Sequence, residues 1–122
     1  MEIKTLANVA LIKVEGRLDH LSAPLFESAL LPQTEGCTGE EKKLVLDCSG
    51  LTFMSSAGLR VLMIAAKHCR KQNGKMVLAA LQPTIQEIIR ISRFDTVFEV
   101  FPSVREALEA ISPAAAAAFK GH

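Results

Sequence analysis

Apolar and polar positions along the chain follow two rhythms, one of short extended runs and one of helical repeats. Residues 2–6 and 9–15 read as two short strands separated by Ala7-Asn8, and Gly16 is expected to end the second. Ser22 fits the cap of a helix that reaches Leu31, with Pro24 in its first turn and Pro32 at its end. Residues 33–43 are polar and read as a loop. The unbroken Leu44-Val45-Leu46 fits a strand covered on both faces, as in a parallel sheet. Leu59, Leu62, Met63, Ala66 and Cys69 recur at three- and four-residue spacing and predict a helix from about Ala57 to Gln72, stopped at Asn73-Gly74.

Met76–Ala80 repeats the buried-strand signal, Pro83 opens a helix through Ile85, Ile88, Ile89 and Ile91, and residues 97–100 form a short strand. Ser103 with Glu106 makes a capping box for a last helix ending near Ser112-Pro113. Beyond it, the Ala-rich residues 113–122 read as a frayed, flexible tail. The expectation is a single α/β domain over residues 1–112. Its sheet is mixed but mostly parallel, with an N-terminal antiparallel strand and about four helices.

Composition narrows the function classes. The 122 residues are 49% hydrophobic and 22% charged, with a formal net charge of +1. That balance suits one globular domain and gives no general attraction to nucleic acid or anionic membrane. No apolar run approaches the ~20 residues that span a bilayer, and Met-Glu-Ile-Lys lacks the layout of a signal peptide, so a cytoplasmic location is expected. Cys37, Cys48 and Cys69 are too few and too widely spaced for a disulfide framework or zinc site. Cys48 and Cys69 read as small buried hydrophobes, and Cys37, in a Gly-Cys-Thr-Gly loop, as more exposed.

In open α/β sheets, sites form beyond the carboxyl ends of the strands. Two polar segments leave such ends, Gly16–Ser22 and Asp47–Ser56, and neighbouring strands would bring Asp19, His20 and Ser22 toward Ser55 and Ser56. A hydrolase would use Ser56 as nucleophile, His20 as base and Asp19 or Asp47 as orienter. Met54 stands where the nucleophile elbow needs its first glycine, and adjacent Asp19 and His20 side chains diverge. His68, on a helix, and His122, the last residue, offer weaker alternatives. No glycine-rich phosphate loop or metal-ligand cluster is present in the sequence, and no cofactor or metal is expected. A serine at a strand-to-helix junction either caps the helix or carries a phosphate that the helix end stabilises.

Three segments together carry a resemblance: Gly16-Arg-Leu-Asp19-His20-Leu-Ser22-Ala23, Leu44-Val-Leu-Asp47-Cys-Ser-Gly-Leu-Thr-Phe53-Met54-Ser55-Ser56-Ala57-Gly58-Leu59, and Gly74-Lys-Met-Val-Leu. They resemble a STAS domain, and most of all the small bacterial anti-sigma factor antagonists, over residues 1 to about 111. The resemblance implies a non-enzymatic partner switch. The unphosphorylated protein would bind a serine kinase/anti-sigma factor of the histidine-kinase-like ATPase type and be released on phosphorylation. A PP2C-type phosphatase would restore it. Ser56 matches the phosphorylated serine, while Asp19, His20, Ser22, Ser55, Ala57, Gly58 and Arg60 fall in the implied partner-binding region. Many members carry an aspartate before that serine and Ser or Thr after it; here Ser55 and Ala57 stand there, which makes Ser55 a secondary candidate. The alternative is a STAS scaffold or accessory subunit, as in a lipid-transport complex, that binds an ATPase without being phosphorylated.

Overall fold

The computed structural model describes residues 1–120, so His122 lies outside the described residues. Five strands form one sheet in the order β1 (Glu2–Leu6), β2 (Val9–Leu18), β3 (Lys43–Met54), β4 (Met76–Ala79), β5 (Glu99–Phe101). β1 and β2 pair antiparallel through the Ala7-Asn8 turn, and every later pairing is parallel. The described residues also form five helices: α1 (Ala23–Glu35), α2 (Ser56–Lys71), α3 (Pro83–Ile91), α4 (Val104–Ile111) and α5 (Pro113–Ala118).

The central strands are apolar throughout because both faces are covered. Ala10, Ile12, Leu44, Leu46 and Leu78 point to the layer of α1, α2 and α3, while Leu11, Val45, Val77 and Ala79 meet α4 and α5. A period of two along each strand sends successive side chains to opposite cores.

Several expectations change. β2 does not stop at Gly16, and β3 is not confined to residues 44–46. The two strands run on together to Leu18↔Met54, with two register shifts, as a ribbon beyond the reach of β4. Leu51 and Met54 are buried along that ribbon while Thr52 and Phe53 between them are exposed, so the strand alternation is broken at the second register shift and the segment reads as loop. Helix α1 continues past Pro32 to Glu35. Proline removes one helix donor, but the last turn is anchored from outside. Thr34 Oγ1 lies 2.7 Å from His68 Nδ1, and Gln72 Nε2 donates to the Thr34 carbonyl oxygen at 2.8 Å.

Cys37 is fully buried rather than exposed, folded under the turn that follows α2. Residues 113–118, read as a frayed tail, form α5. Ser112 Oγ accepts from the Ala115 N–H at 3.2 Å, Pro113 opens the helix and Ala115 is buried. Buried Lys43 also donates to the Ile111 carbonyl oxygen at 2.6 Å, which ties the end of α4 to the sheet. The Ser103 cap is as expected, accepting from the Glu106 N–H at 3.1 Å.

Candidate functional site

Parallel pairing of β2 with β3 brings their carboxyl ends side by side. The Ser55 N–H donates to the Leu18 carbonyl oxygen at 2.8 Å, so the Asp19–Ser22 loop leaves β2 beside the point where α2 begins. The adjacency on which any joint site of Asp19, Ser22, Ser55 and Ser56 depends is therefore present.

The two serines have different jobs. Ser55 is the N-cap of α2, in extended conformation, and its Oγ accepts from the Gly58 N–H at 3.3 Å while donating to the Leu18 carbonyl oxygen at 3.3 Å. That is the geometry that satisfies an orphan donor at a helix start. Ser56 is the first residue of α2, is exposed, and its hydroxyl makes no hydrogen bond among the described residues. A group added to Ser56 would sit at the positive end of a 16-residue helix without disturbing the cap.

The other expected residues divide by position. Ala57 is half-buried against the core. Gly58 is buried and makes no surface of its own: a Cβ there would stand 2.5 Å from Leu18 Cγ and 2.7 Å from the Leu18 carbonyl oxygen. Its lack of a side chain lets the helix start close against β2. Arg60 is exposed, makes no ion pair among the described residues, and lies four residues after Ser56, on the same side of the helix.

Asp19 organises the neighbouring loop. Its Oδ1 accepts from the Leu21 N–H at 3.0 Å and the Ser22 N–H at 3.1 Å. Ser22 is placed at the helix start but gives no capping bond. Its hydroxyl instead donates to the Arg17 carbonyl oxygen at 2.8 Å and accepts from the Asp19 N–H at 3.0 Å. The hydrogen bond from the Ser22 backbone, helped by Leu21 and the Arg17 guanidinium, holds the Asp19 carboxyl below its ordinary pKa. His20 is exposed at the tip of this loop. The loop thus engages Asp19 in its own backbone, leaving no Ser56–His20–Asp19 relay among the hydrogen bonds of the described residues. Asp47 is likewise occupied, accepting from the Ser49 N–H at 3.1 Å.

Around this junction the surface is more apolar than the sequence suggests. Leu21 and Leu25 are 79% and 78% exposed, and Phe53 lies open under the Arg17 guanidinium, 4.2 Å from its ring centroid. A groove of about 230 Å³ runs beside them, lined by Arg17, Leu18, Ser22, Leu25 and Phe26 among others. Leu21 and Leu25 are four apart and off the buried Phe26–Leu30 stripe of α1, which is the sequence signal that marks them. Exposed apolar side chains with polar neighbours beside a groove are a feature that protein docking sites share.

Comparison with known proteins gives the family of this fold. The STAS domain model matches residues 1–107, so the chain is a member of the STAS domain family. It is 38% identical over 107 residues, 88% of this chain and 83% of the relative, to BtrV of Bordetella bronchiseptica, which is named as a candidate anti-sigma factor antagonist. Among solved structures it resembles an anti-sigma factor antagonist from Mycobacterium paratuberculosis. The TM-score is 0.79 at 25% identity, covering 90% of this chain and 91% of that one. An anti-sigma-factor antagonist (STAS) domain protein from Planctomyces limnophilus shares the fold, with a TM-score of 0.81 at 22% identity over 91% and 96% of the two chains. Among the described residues, no helix is long and apolar enough to cross a membrane.

Proposed function

We propose that the chain is a cytoplasmic anti-sigma factor antagonist that acts by binding, without catalysis of its own, and is switched by phosphorylation of Ser56. In its unphosphorylated form it binds a serine kinase/anti-sigma factor of the histidine-kinase-like ATPase type. The surface used comprises the Asp19–Ser22 loop and the start of α2, including Ser55, Ala57 and Arg60, with Gly58 setting the helix position. Phosphorylation ends that binding and a PP2C-type phosphatase restores it.

One observation carries the reading: Ser55 supplies the cap and Ser56 has a free, exposed hydroxyl. Phosphate adds about −1.5 to −2 charges. On Ser56 that charge is favoured by the helix start and within reach of Arg60, so the fold survives it. The same charge next to the loop that carries exposed Leu21 opposes an apolar or acidic partner surface. Binding can therefore be lost while the domain stays folded.

The test is a pull-down of the cognate kinase with ATP, using the wild-type chain, Ser56→Ala and Ser56→Asp. ATP should dissolve the wild-type complex but not the Ser56→Ala complex, and Ser56→Asp should bind weakly from the start. A wild-type complex indifferent to ATP would instead indicate the scaffold or accessory-subunit reading.

A further inference from the structure

Cys37 and Cys69 meet where the segment after α1 folds under the end of α2. Cys37 is fully buried and Cys69 nearly so, although they lie on different elements and far apart in sequence. Several main-chain bonds fix the meeting point. The Gly74 N–H donates to the Cys69 carbonyl oxygen at 2.8 Å, and Gln72 Nε2 donates to the Cys37 carbonyl oxygen at 3.0 Å. Gly74 has no room for a side chain, since a Cβ there would lie 2.1 Å from the Cys37 carbonyl oxygen and 2.8 Å from its sulfur. The Cys37 thiol donates to the Lys75 carbonyl oxygen at 3.3 Å, and the Cys69 thiol is its neighbour across this contact.

The surroundings make the two sulfurs unequal. The neighbouring Cys69 thiol, with the nearby Lys42 ammonium, favours a thiolate at Cys37, while the same pairing and burial disfavour one at Cys69. The third cysteine differs from both: burial pushes the Cys48 thiol up to about 12. A thiolate attacks and a neutral thiol resolves, so this is the asymmetry that a reactive pair needs.

We propose that Cys37 and Cys69 form a peroxide-oxidisable site that closes into a disulfide joining the segment after α1 to the last turn of α2. The Cys37 thiolate attacks one oxygen of hydrogen peroxide, forming an S–O bond as the O–O bond breaks, and the departing hydroxide takes up a proton to leave as water. The Cys69 sulfur then attacks the Cys37 sulfenic acid. The S–S bond forms, the S–O bond breaks, and the released hydroxide accepts the thiol proton and leaves as a second water. Two thiols and one peroxide give one disulfide and two waters. The bridge closes a loop of about thirty residues, enough to stabilise the fold measurably by restricting the unfolded chain.

The experiment treats the folded full-length chain with hydrogen peroxide, quenches it, alkylates free thiols under denaturing conditions and maps the peptides by mass. A Cys37–Cys69 cross-linked peptide with Cys48 alkylated is expected, together with a rise in Tm that dithiothreitol reverses. Cys48→Ser should keep both effects, and Cys37→Ser should lose both. Recovery of Cys37 and Cys69 as free thiols from the treated folded chain would overturn the proposal, as would a bridge through Cys48. So would a bridge forming equally well in urea, because then the fold does not bring the sulfurs together.

Discussion

The two ends of helix α2 are built on opposite plans. At its start one glycine, Gly58, lets the helix lie against Leu18, and Ser56 and Arg60 on the helix face outward, with exposed Leu21 in the loop beside them. At its end another glycine, Gly74, packs against Cys37, and the groups there are turned inward and bonded to one another. Thr34, Cys37 and Cys69 are all buried at that end. A helix anchored firmly at one end can present a polar, charge-accepting surface at the other. Under the proposed function, binding and its regulation are separated from the contacts that keep the domain folded.

Substitutions at the closed end should have the larger effect. Gly74→Ala forces a Cβ into backbone and should destabilise the fold by about 3 kcal/mol, near the upper end for overpacking, read as a fall in the urea midpoint. Gly58→Ala meets the Leu18 carbonyl oxygen, while alanine is the better helix former by about 0.5–1 kcal/mol, so its net cost should be nearer 1–2 kcal/mol. Equal losses at the two glycines would remove the contrast between the ends. Ser55→Ala should cost about 1 kcal/mol through loss of the cap, whereas Ser56→Ala should stay within about 0.5 kcal/mol of wild type.

The smallest effect is electrostatic. Because the folded Asp19 carboxyl titrates below the ordinary value of about 3.9, its contribution to stability is fully present above that value. The contribution disappears as pH falls through the lower, folded pKa. An NMR titration should place the Asp19 midpoint under 3.9, and Ser22→Ala, which removes the hydroxyl 3.2 Å from Asp19 Oδ1, should move it part of the way back, since the Ser22 and Leu21 backbone donors remain. A midpoint at the ordinary value would mean that the loop does not hold the carboxyl as described.

Much of this was legible in the sequence. Apolar runs at residues 9–15, 44–46 and 76–80 marked the buried strands, and the Ser103–Glu106 spacing marked the last capping box. The residues of the junction were identifiable by type, but not the division of labour between Ser55 and Ser56. That depends on backbone dihedrals one residue apart, and adjacent serines look alike until the helix start is fixed. The continuation of α1 past Pro32 was hidden because Thr34, His68 and Gln72 meet only in the fold. Cys37 was misplaced for a similar reason, since glycines on both sides signal an exposed turn and its burial comes from distant partners. The Ala-rich residues 113–118 lacked any pattern of their own, and their order comes from Ser112 and the packing of Ala115 against the sheet.

Under the proposed function, Ser55 holds the helix and Ser56 takes the phosphate. The most direct measurement incubates wild type, Ser55→Ala and Ser56→Ala with the cognate kinase and ATP, then locates phosphate by peptide mass mapping while Tm is recorded for each. Phosphate is expected on Ser56 in wild type and in Ser55→Ala, none in Ser56→Ala, and a lowered Tm in Ser55→Ala alone. Phosphate on Ser55, or phosphate persisting in Ser56→Ala, would contradict it.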